Sequence, residues 1–141
     1  MKLRLHLAAD ERGAAVVEMA FALPVLIVMI WAFVQLAQIY RAVSGIQQAL
    51  GQGARLATLC VPTINGCSIP TGQQVHDKMM DSVYGIGPGS FTANIPTKQT
   101  SGTTAYYDLQ VTYTQPTNLL LFPGPTINVN RSKRVWVASN S

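Results

Sequence analysis

The most unusual residue for its surroundings is Glu18, the only charged side chain in the apolar run 14–34. A carboxylate at membrane depth is strongly unfavourable unless it is paired, so such an acid is expected to have both a function and a partner. No Lys or Arg lies between Ala14 and Arg41, so a cationic partner must come from elsewhere. The alternative is that Glu18, near the start of the run, stays hydrated among the lipid headgroups.

The apolar run has the length of a membrane-spanning helix. Residues 14–34 would span about 31 Å as a helix, against about 30 Å for a hydrocarbon core. The preceding residues 1–13 form a short polar leader that includes Lys2, Arg4 and Arg12. By the positive-inside tendency, this leader predicts a single pass with a cytoplasmic N-terminus, and the rest of the chain crosses to the far side, which for a bacterial inner membrane is the periplasm.

The content and distribution of charged residues limit the kinds of function that the protein can have. The chain has 141 residues, of which only 11% are charged, whereas soluble domains carry roughly 25%. The net charge is +4, but the basic residues are scattered except in the stretch 131–134. Because nucleic-acid binding needs a basic face or stripe, the sequence predicts no nucleic-acid partner.

The two cysteines, Cys60 and Cys67, flank a short segment that contains Pro62 and the turn pair Asn65-Gly66. These turn residues let the chain double back, so an oxidising compartment favours a local disulfide over two free thiols. Two cysteines do not complete a structural zinc site, which usually has four ligands. We predict a Cys60–Cys67 disulfide, no metal and no cofactor.

Helical periodicity continues beyond the apolar run and predicts one helix over residues 14–59. Pro24 removes a backbone donor and predicts a kink, and the glycines near 45, 51 and 53 are further expected bending points. An apolar stripe on this helix faces either the protein's own sheet or a neighbouring subunit. It comprises Ile39, Val43, Ile46, Leu50, Ala54 and Ala57.

Residues 60–141 predict a small α/β domain, which makes the chain α+β. A short helix is expected over 73–84, and strict alternation predicts a half-buried strand over 106–115. Further extended segments over 90–98 and 126–139 would complete an antiparallel sheet of about three or four strands. The apolar segment 118–125 is expected to be a loop that caps the core or faces lipid or a partner.

Nothing in the sequence predicts an enzyme. No nucleophile motif or phosphate-binding loop is present. His76 and Asp77 are adjacent on the predicted short helix, where neighbouring side chains point about 100° apart, so we interpret them as a solvated surface pair.

The stretch around Glu18 resembles the type IV prepilin signal. It reads Arg-Gly-Ala-Ala-Val-Val-Glu and is followed by the apolar helix. The resemblance implies that a prepilin peptidase cuts after Gly13, which makes Ala14 the new N-terminus and Glu18 its fifth residue. It further implies that Glu18 pairs with the α-amino group of Ala14 in a neighbouring subunit, and that Pro24 serves packing in the filament.

The longer stretch 12–40 is similar to the TadE-like family of the tight-adherence (Flp) pilus system, although Met19 stands where an aromatic residue is common. Residues 47–59 resemble that family's continuation, with Gln52 where an acid is frequent. The matching positions at the start are Arg12, Gly13, Val17, Glu18, Phe21, Ala22, Leu23 and Pro24.

The resemblance implies a minor pilin or pseudopilin that takes part in pilus assembly and surface adherence. Its expected partners are the prepilin peptidase, the Flp major pilin, TadE- and TadF-type minor pilins and the inner-membrane assembly platform. One alternative is an uncleaved single-pass protein that assists assembly. Another is a membrane-tethered periplasmic binding module whose contact loop is 118–125.

Overall fold

The computed structural model describes residues 11–59, 61–63, 66–118, 120 and 122–137. The architecture is α+β, as predicted: a long N-terminal helix, a small hairpin, a short helix and an antiparallel sheet. The elements in chain order are α1 (Glu11–Thr58), β1 (Val61–Thr63), β2 (Gly66–Ser68), α2 (Gly72–Ser82), β3 (Ser90–Ala93), β4 (Lys98–Ser101), β5 (Thr104–Asn118) and β6 (Pro123–Val137).

Helix α1 matches the predicted helix 14–59 closely, but it begins at Glu11, inside the predicted leader. Pro24 lies within the helix without ending it, and helical structure also continues through Gly45 and Gly53. The two glycines are buried, so they serve close packing.

Helix α2 begins with a capping box. The Gln74 N–H donates to Thr71 Oγ1 at 3.4 Å, and the Thr71 N–H donates to Gln74 Oε1 at 2.9 Å. This reciprocal pair satisfies backbone donors that the first turn leaves open. Val75, Met79 and Val83 are buried on one side of the helix, and Met80 is half-buried.

Strand β5 is the centre of the sheet. It pairs with β6 along one edge, while β3 and β4 follow each other along its other edge. Between those two short strands, the Asn94 side chain continues the ladder: its Nδ2 donates to the Asp108 carbonyl at 2.9 Å and its Oδ1 accepts from the Gln110 N–H at 2.7 Å.

Two strand predictions and one loop prediction need correction. The segment 90–98 contains the whole of β3 and only the first residue of β4; the two strands are separate because Pro96 has no N–H to offer to the ladder. Residues 126–137 belong to a single strand that starts at Pro123, so the expected loop 118–125 is shorter, and residues 138 and 139 of the predicted segment lie outside the described residues. Proline is tolerated there because β6 lies at the edge of the sheet.

The chain doubles back where the turn residues predicted it. Val61 pairs with Ser68 and Pro62 with Cys67 in the β1–β2 hairpin. Cys60 lies outside the described residues, so the Cys60–Cys67 disulfide stays a prediction.

The core lies between β5, α2 and the C-terminal half of α1. The inward face of β5 contains the residues that alternation predicted: Tyr107, Leu109, Val111 and Tyr113 are all buried. The helix stripe therefore covers the protein's own sheet. Its buried part is a row of mostly small residues, which are Ala42, Gly45, Ile46, Ala49, Leu50, Gly53 and Ala57.

The small residues bring α1 very close to its neighbours. A Cβ on Gly53 would lie 2.5 Å from Met79 Cγ and 3.4 Å from Leu109 Cδ1. Any side chain there would push α2 away from α1. The predicted stripe was offset, because Ile39 and Val43 are only half-buried while Ala42 and Ala49 are fully covered.

Candidate functional site

The N-terminal half of α1 is a bare apolar helix. Over residues 13–34, which we call the bare segment, large side chains are exposed all around the axis; Phe21 is 75% exposed and Val16 69%. Among the residues that the structure describes, one helix is long and apolar enough to cross a membrane, Gly13–Thr58, and its most apolar part is not buried. A helix that is apolar on every side needs lipid or other helices around it.

The predicted processing site lies in the first turns of this helix. Gly13 is exposed, and a Cβ added to it would meet nothing within 4 Å. Ala14 and Glu18 follow on one face, four residues apart, and both are exposed. No ion pair joins Glu18 to any side chain that the structure describes. The cleavage and the pairing of Glu18 remain predictions.

A cluster of hydrogen bonds ties α1 to the sheet at the C-terminal end of the bare segment. The Trp31 indole N–H donates to the Asn118 carbonyl at 2.7 Å. Gln115, which is 1% exposed, donates to Gln35 Oε1 at 3.2 Å and accepts from the Tyr113 hydroxyl at 2.6 Å. We call this set, with Gln38, the polar clasp.

The polar clasp supplies hydrogen-bond partners for the buried amide of Gln115. Sequence reasoning missed it. The available signal was Gln35 and Gln38, which interrupt an apolar helix at a spacing of three residues, combined with a glutamine on the inward alternation of β5. Their meeting depends on a sequence separation of 80 residues, which no local pattern reveals.

The turn between β5 and β6 holds a leucine in an unusual conformation. Leu120 has φ 67°, in the left-handed region, which is unfavourable by about 1–2 kcal/mol for a residue with a Cβ. Its N–H donates to Asn118 Oδ1 at 3.2 Å, which stabilises the turn. Leu120 is 51% exposed and Phe122 70%, so burial within the chain does not explain why apolar residues occupy this turn.

The outward face of the sheet has one ordered charge pair. Arg134 donates from Nε to Asp108 Oδ1 at 2.8 Å and from a terminal nitrogen to Oδ2 at 3.0 Å. The guanidinium also lies 4.3 Å from the centroid of the Tyr106 ring, which meets Trp136 edge-on. The hydrogen bond from Arg134 lowers the pKa of Asp108 and raises the pKa of Arg134.

His76 and Asp77 lie on the surface of α2, as predicted, but their side chains do meet. His76 Nδ1 is 3.0 Å from Asp77 Oδ1, which also accepts from Gln73 Nε2 at 2.8 Å. The bond to His76 is the main cause of the lowered pKa of Asp77. Within the described ranges, no group of three or more His, Cys, Asp or Glu residues could hold a metal ion.

Comparison with known proteins finds a family similarity in the N-terminal part of the chain. Residues 13–55 match the model of the family described as TadE-like protein. Neither the curated proteins nor the solved structures gave a match. The matched stretch contains the bare segment, with Gly13 and Glu18, and nearly all of the buried face of α1, but none of the sheet. Over most of helix α1, which is less than half of the chain, the protein is therefore similar to TadE-like proteins.

Proposed function

We propose that the protein is a minor pilin or pseudopilin of the Tad pilus, which takes part in pilus assembly and surface adherence without catalysing a reaction. The bare segment would hold it in the bacterial inner membrane, with its N-terminus in the cytoplasm and its α/β domain in the periplasm. The observation that carries the proposal is a fully exposed apolar helix inside the stretch that matches the family.

Processing by a prepilin peptidase would cut the Gly13–Ala14 bond, which lies in the first turns of α1. A protease must reach an extended backbone, so these turns must unwind before cleavage. Gly13 favours this step because glycine disfavours helix and leaves the backbone uncovered. Hydrolysis would remove residues 1–13 and leave a positively charged amino group on Ala14.

That amino group would supply the cation that Glu18 lacks. In the growing filament, Glu18 of one subunit would pair with Ala14 of its neighbour and set the register between them. Burying two opposite charges in apolar surroundings as a pair is far less unfavourable than burying either alone. The bare segments of this chain, the Flp major pilin and TadE- or TadF-type subunits would then pack together as they leave the assembly platform, with Pro24 allowing the helix to bend.

The decisive test is the intact mass of membrane-extracted protein with and without the cognate prepilin peptidase. Wild type, Gly13→Val and Gly51→Val should be compared. Gly51 is the matched control because it is also an exposed helical glycine, and a Cβ there meets nothing within 4 Å. We expect a peptidase-dependent loss of residues 1–13 in wild type and Gly51→Val, and a full-length mass for Gly13→Val.

A full-length wild-type mass in the presence of active peptidase would instead support an uncleaved membrane protein that assists assembly. A second variant, Glu18→Gln, separates cleavage from assembly. It should be processed normally and be lost from purified pili. Piliation that is unaffected by both Gly13→Val and Glu18→Gln would favour a membrane-tethered binding module.

A further inference from the structure

The β5–β6 hairpin runs beside α1 and points towards the bare segment. Strand β5 is antiparallel to the helix: Leu109 lies beside Gly53, and Asn118 is bonded to Trp31. From Leu109 to Asn118 the strand advances about 30 Å, and from Gly53 back to Trp31 the helix advances about 33 Å. The two elements therefore stay side by side to the end of the strand, and the turn lies at the edge of the bare segment.

The length of the bare segment decides how deep this turn lies. Residues 14–30, which precede Trp31, would span only about 26 Å, whereas a hydrocarbon core is about 30 Å thick. A helix that begins at Ala14 needs about three more residues, which places Trp31 within the membrane interface. Asn118 is held to the Trp31 side chain at 2.7 Å, so the turn is carried to the same depth.

The chemistry of the turn fits that depth. Leu120 and Phe122 expose apolar side chains, and Leu120 has a left-handed backbone conformation. No charged residue occurs between Asp108 and Arg131, so the half of the hairpin nearest the bare segment is uncharged. Tryptophan beside it is the residue type enriched at membrane interfaces.

We propose that the β5–β6 turn inserts Leu120 and Phe122 into the periplasmic interface of the lipid bilayer that α1 spans. The domain would then hold the membrane at two points, which sets its rotation about the α1 axis. The turn would leave the lipid when the subunit enters the pilus. The proposal rests on α1 spanning a membrane, which is part of the proposed function.

The test uses the full chain in phosphatidylcholine vesicles whose acyl chains are brominated at several depths, from close to the headgroup to the chain end, because bromine quenches tryptophan that it touches. Three single variants each add one tryptophan to the native Trp31 and Trp136. Phe122→Trp reports on the turn and Leu26→Trp on the bare segment. Thr103→Trp is the control, at an exposed turn at the opposite end of β5.

In wild type, we expect the lipid to quench Trp31 but not Trp136, which is about one tryptophan in two. Phe122→Trp and Leu26→Trp should raise the quenched fraction to about two tryptophans in three. Thr103→Trp should lower it to about one in three. Quenching of Leu26→Trp without quenching of Phe122→Trp would overturn the insertion of the turn and leave the membrane helix intact. Loss of quenching in both variants would overturn the membrane assignment itself.

Acrylamide in the aqueous phase provides the second measurement. If the added tryptophan of Phe122→Trp is shielded from acrylamide and untouched by the brominated lipid, another protein chain covers the turn, and the lipid proposal is wrong. If acrylamide quenches it as strongly as it quenches Thr103→Trp, the turn lies in water, which also overturns the proposal.

Discussion

The two halves of α1 share one continuous helix but have opposite surroundings. The bare segment exposes large apolar side chains on all sides, while residues 42–57 bury one face against α2 and β5. The difference lies in the size of the side chains on that face. Ala42, Gly45, Ala49 and Gly53 allow neighbouring elements to approach closely, whereas Val, Phe and Leu around the bare segment offer no flat side for a sheet. Apolar character therefore does not by itself determine what a helix packs against.

The largest expected contrast is between Tyr113→Ala and Phe21→Ala. Tyr113 is fully buried, its ring lies 4.6 Å from that of Phe91, and its hydroxyl accepts from the Gly89 N–H at 3.1 Å. Removing it should lower the free energy of unfolding of the domain by about 3–5 kcal/mol. Phe21→Ala should leave that free energy unchanged, because the side chain is 75% exposed.

Chemical denaturation in detergent micelles, followed by circular dichroism in the near ultraviolet, measures both variants. Equal destabilisation by the two substitutions would show that the bare segment is part of the domain core. The amount of protein incorporated into pili is the second measurement. Phe21→Ala should lower this amount although it leaves stability unchanged.

Two glycines in the packed half of α1, Gly51 and Gly53, should respond in opposite ways to substitution by alanine. Gly53→Ala would place a Cβ 2.5 Å from Met79 Cγ, and overpacking of this kind lowers stability by about 1–3 kcal/mol. Gly51→Ala meets open space and should raise stability by about 1 kcal/mol, since alanine favours helix. Thermal unfolding of the two variants should therefore shift in opposite directions. A stabilising Gly53→Ala would mean that α2 can move away freely.

The polar clasp marks the boundary between the halves, and Gln115→Met tests it. Methionine keeps the volume of the side chain but removes its bonds to Tyr113 and Gln35, which should lower stability by about 1–3 kcal/mol. Gln110→Met is the matched control on the exposed face of the same strand and should have little effect. Amide hydrogen exchange near Trp31 should accelerate only in Gln115→Met. Equal exchange in both variants would contradict a role for the clasp in joining helix and sheet.

The smallest expected effect concerns the outward face of the sheet. Arg134 lowers the pKa of Asp108 below its ordinary value of 3.8 in the folded protein. The pair therefore contributes stability above that ordinary pKa, and the contribution is lost as the pH falls through the lowered value. Asp108→Asn should narrow the difference in unfolding midpoint between neutral and strongly acidic solution by a small amount, because the pair is exposed and screened by salt. An unchanged acid dependence would show that the pair contributes nothing to stability.

Local patterns predicted much of this fold because their causes are local. The 3.6-residue period predicted α1 and α2, and the strict alternation predicted which residues of β5 face inward. Boundaries were less accurate. Strand β6 can begin at Pro123 because an edge strand tolerates proline. The residues of a strand do not by themselves determine where that strand lies in the sheet.

The candidate site also has parts that the sequence predicts and parts that it does not. Gly13, Ala14, Glu18 and the apolar run are contiguous, so the sequence alone identified them as one unit with the character of a membrane or filament helix. Their pairing and cleavage depend on other molecules, so they stay predictions. The polar clasp and the position of the β5–β6 turn could not be foreseen, because each joins residues far apart in the chain.

The sequence by itself determined that this protein has one long apolar helix, an inward face on β5 and a family resemblance carried by residues 12–59. Those features follow from side-chain size, polarity and period over neighbouring residues. Only the tertiary structure decided that small residues on α1 press it against α2, that Gln35 and Gln115 meet, and that the turn at Leu120 lies beside Trp31. The physical reason is that close packing and buried hydrogen bonds depend on the simultaneous position of several elements, which a local pattern does not contain.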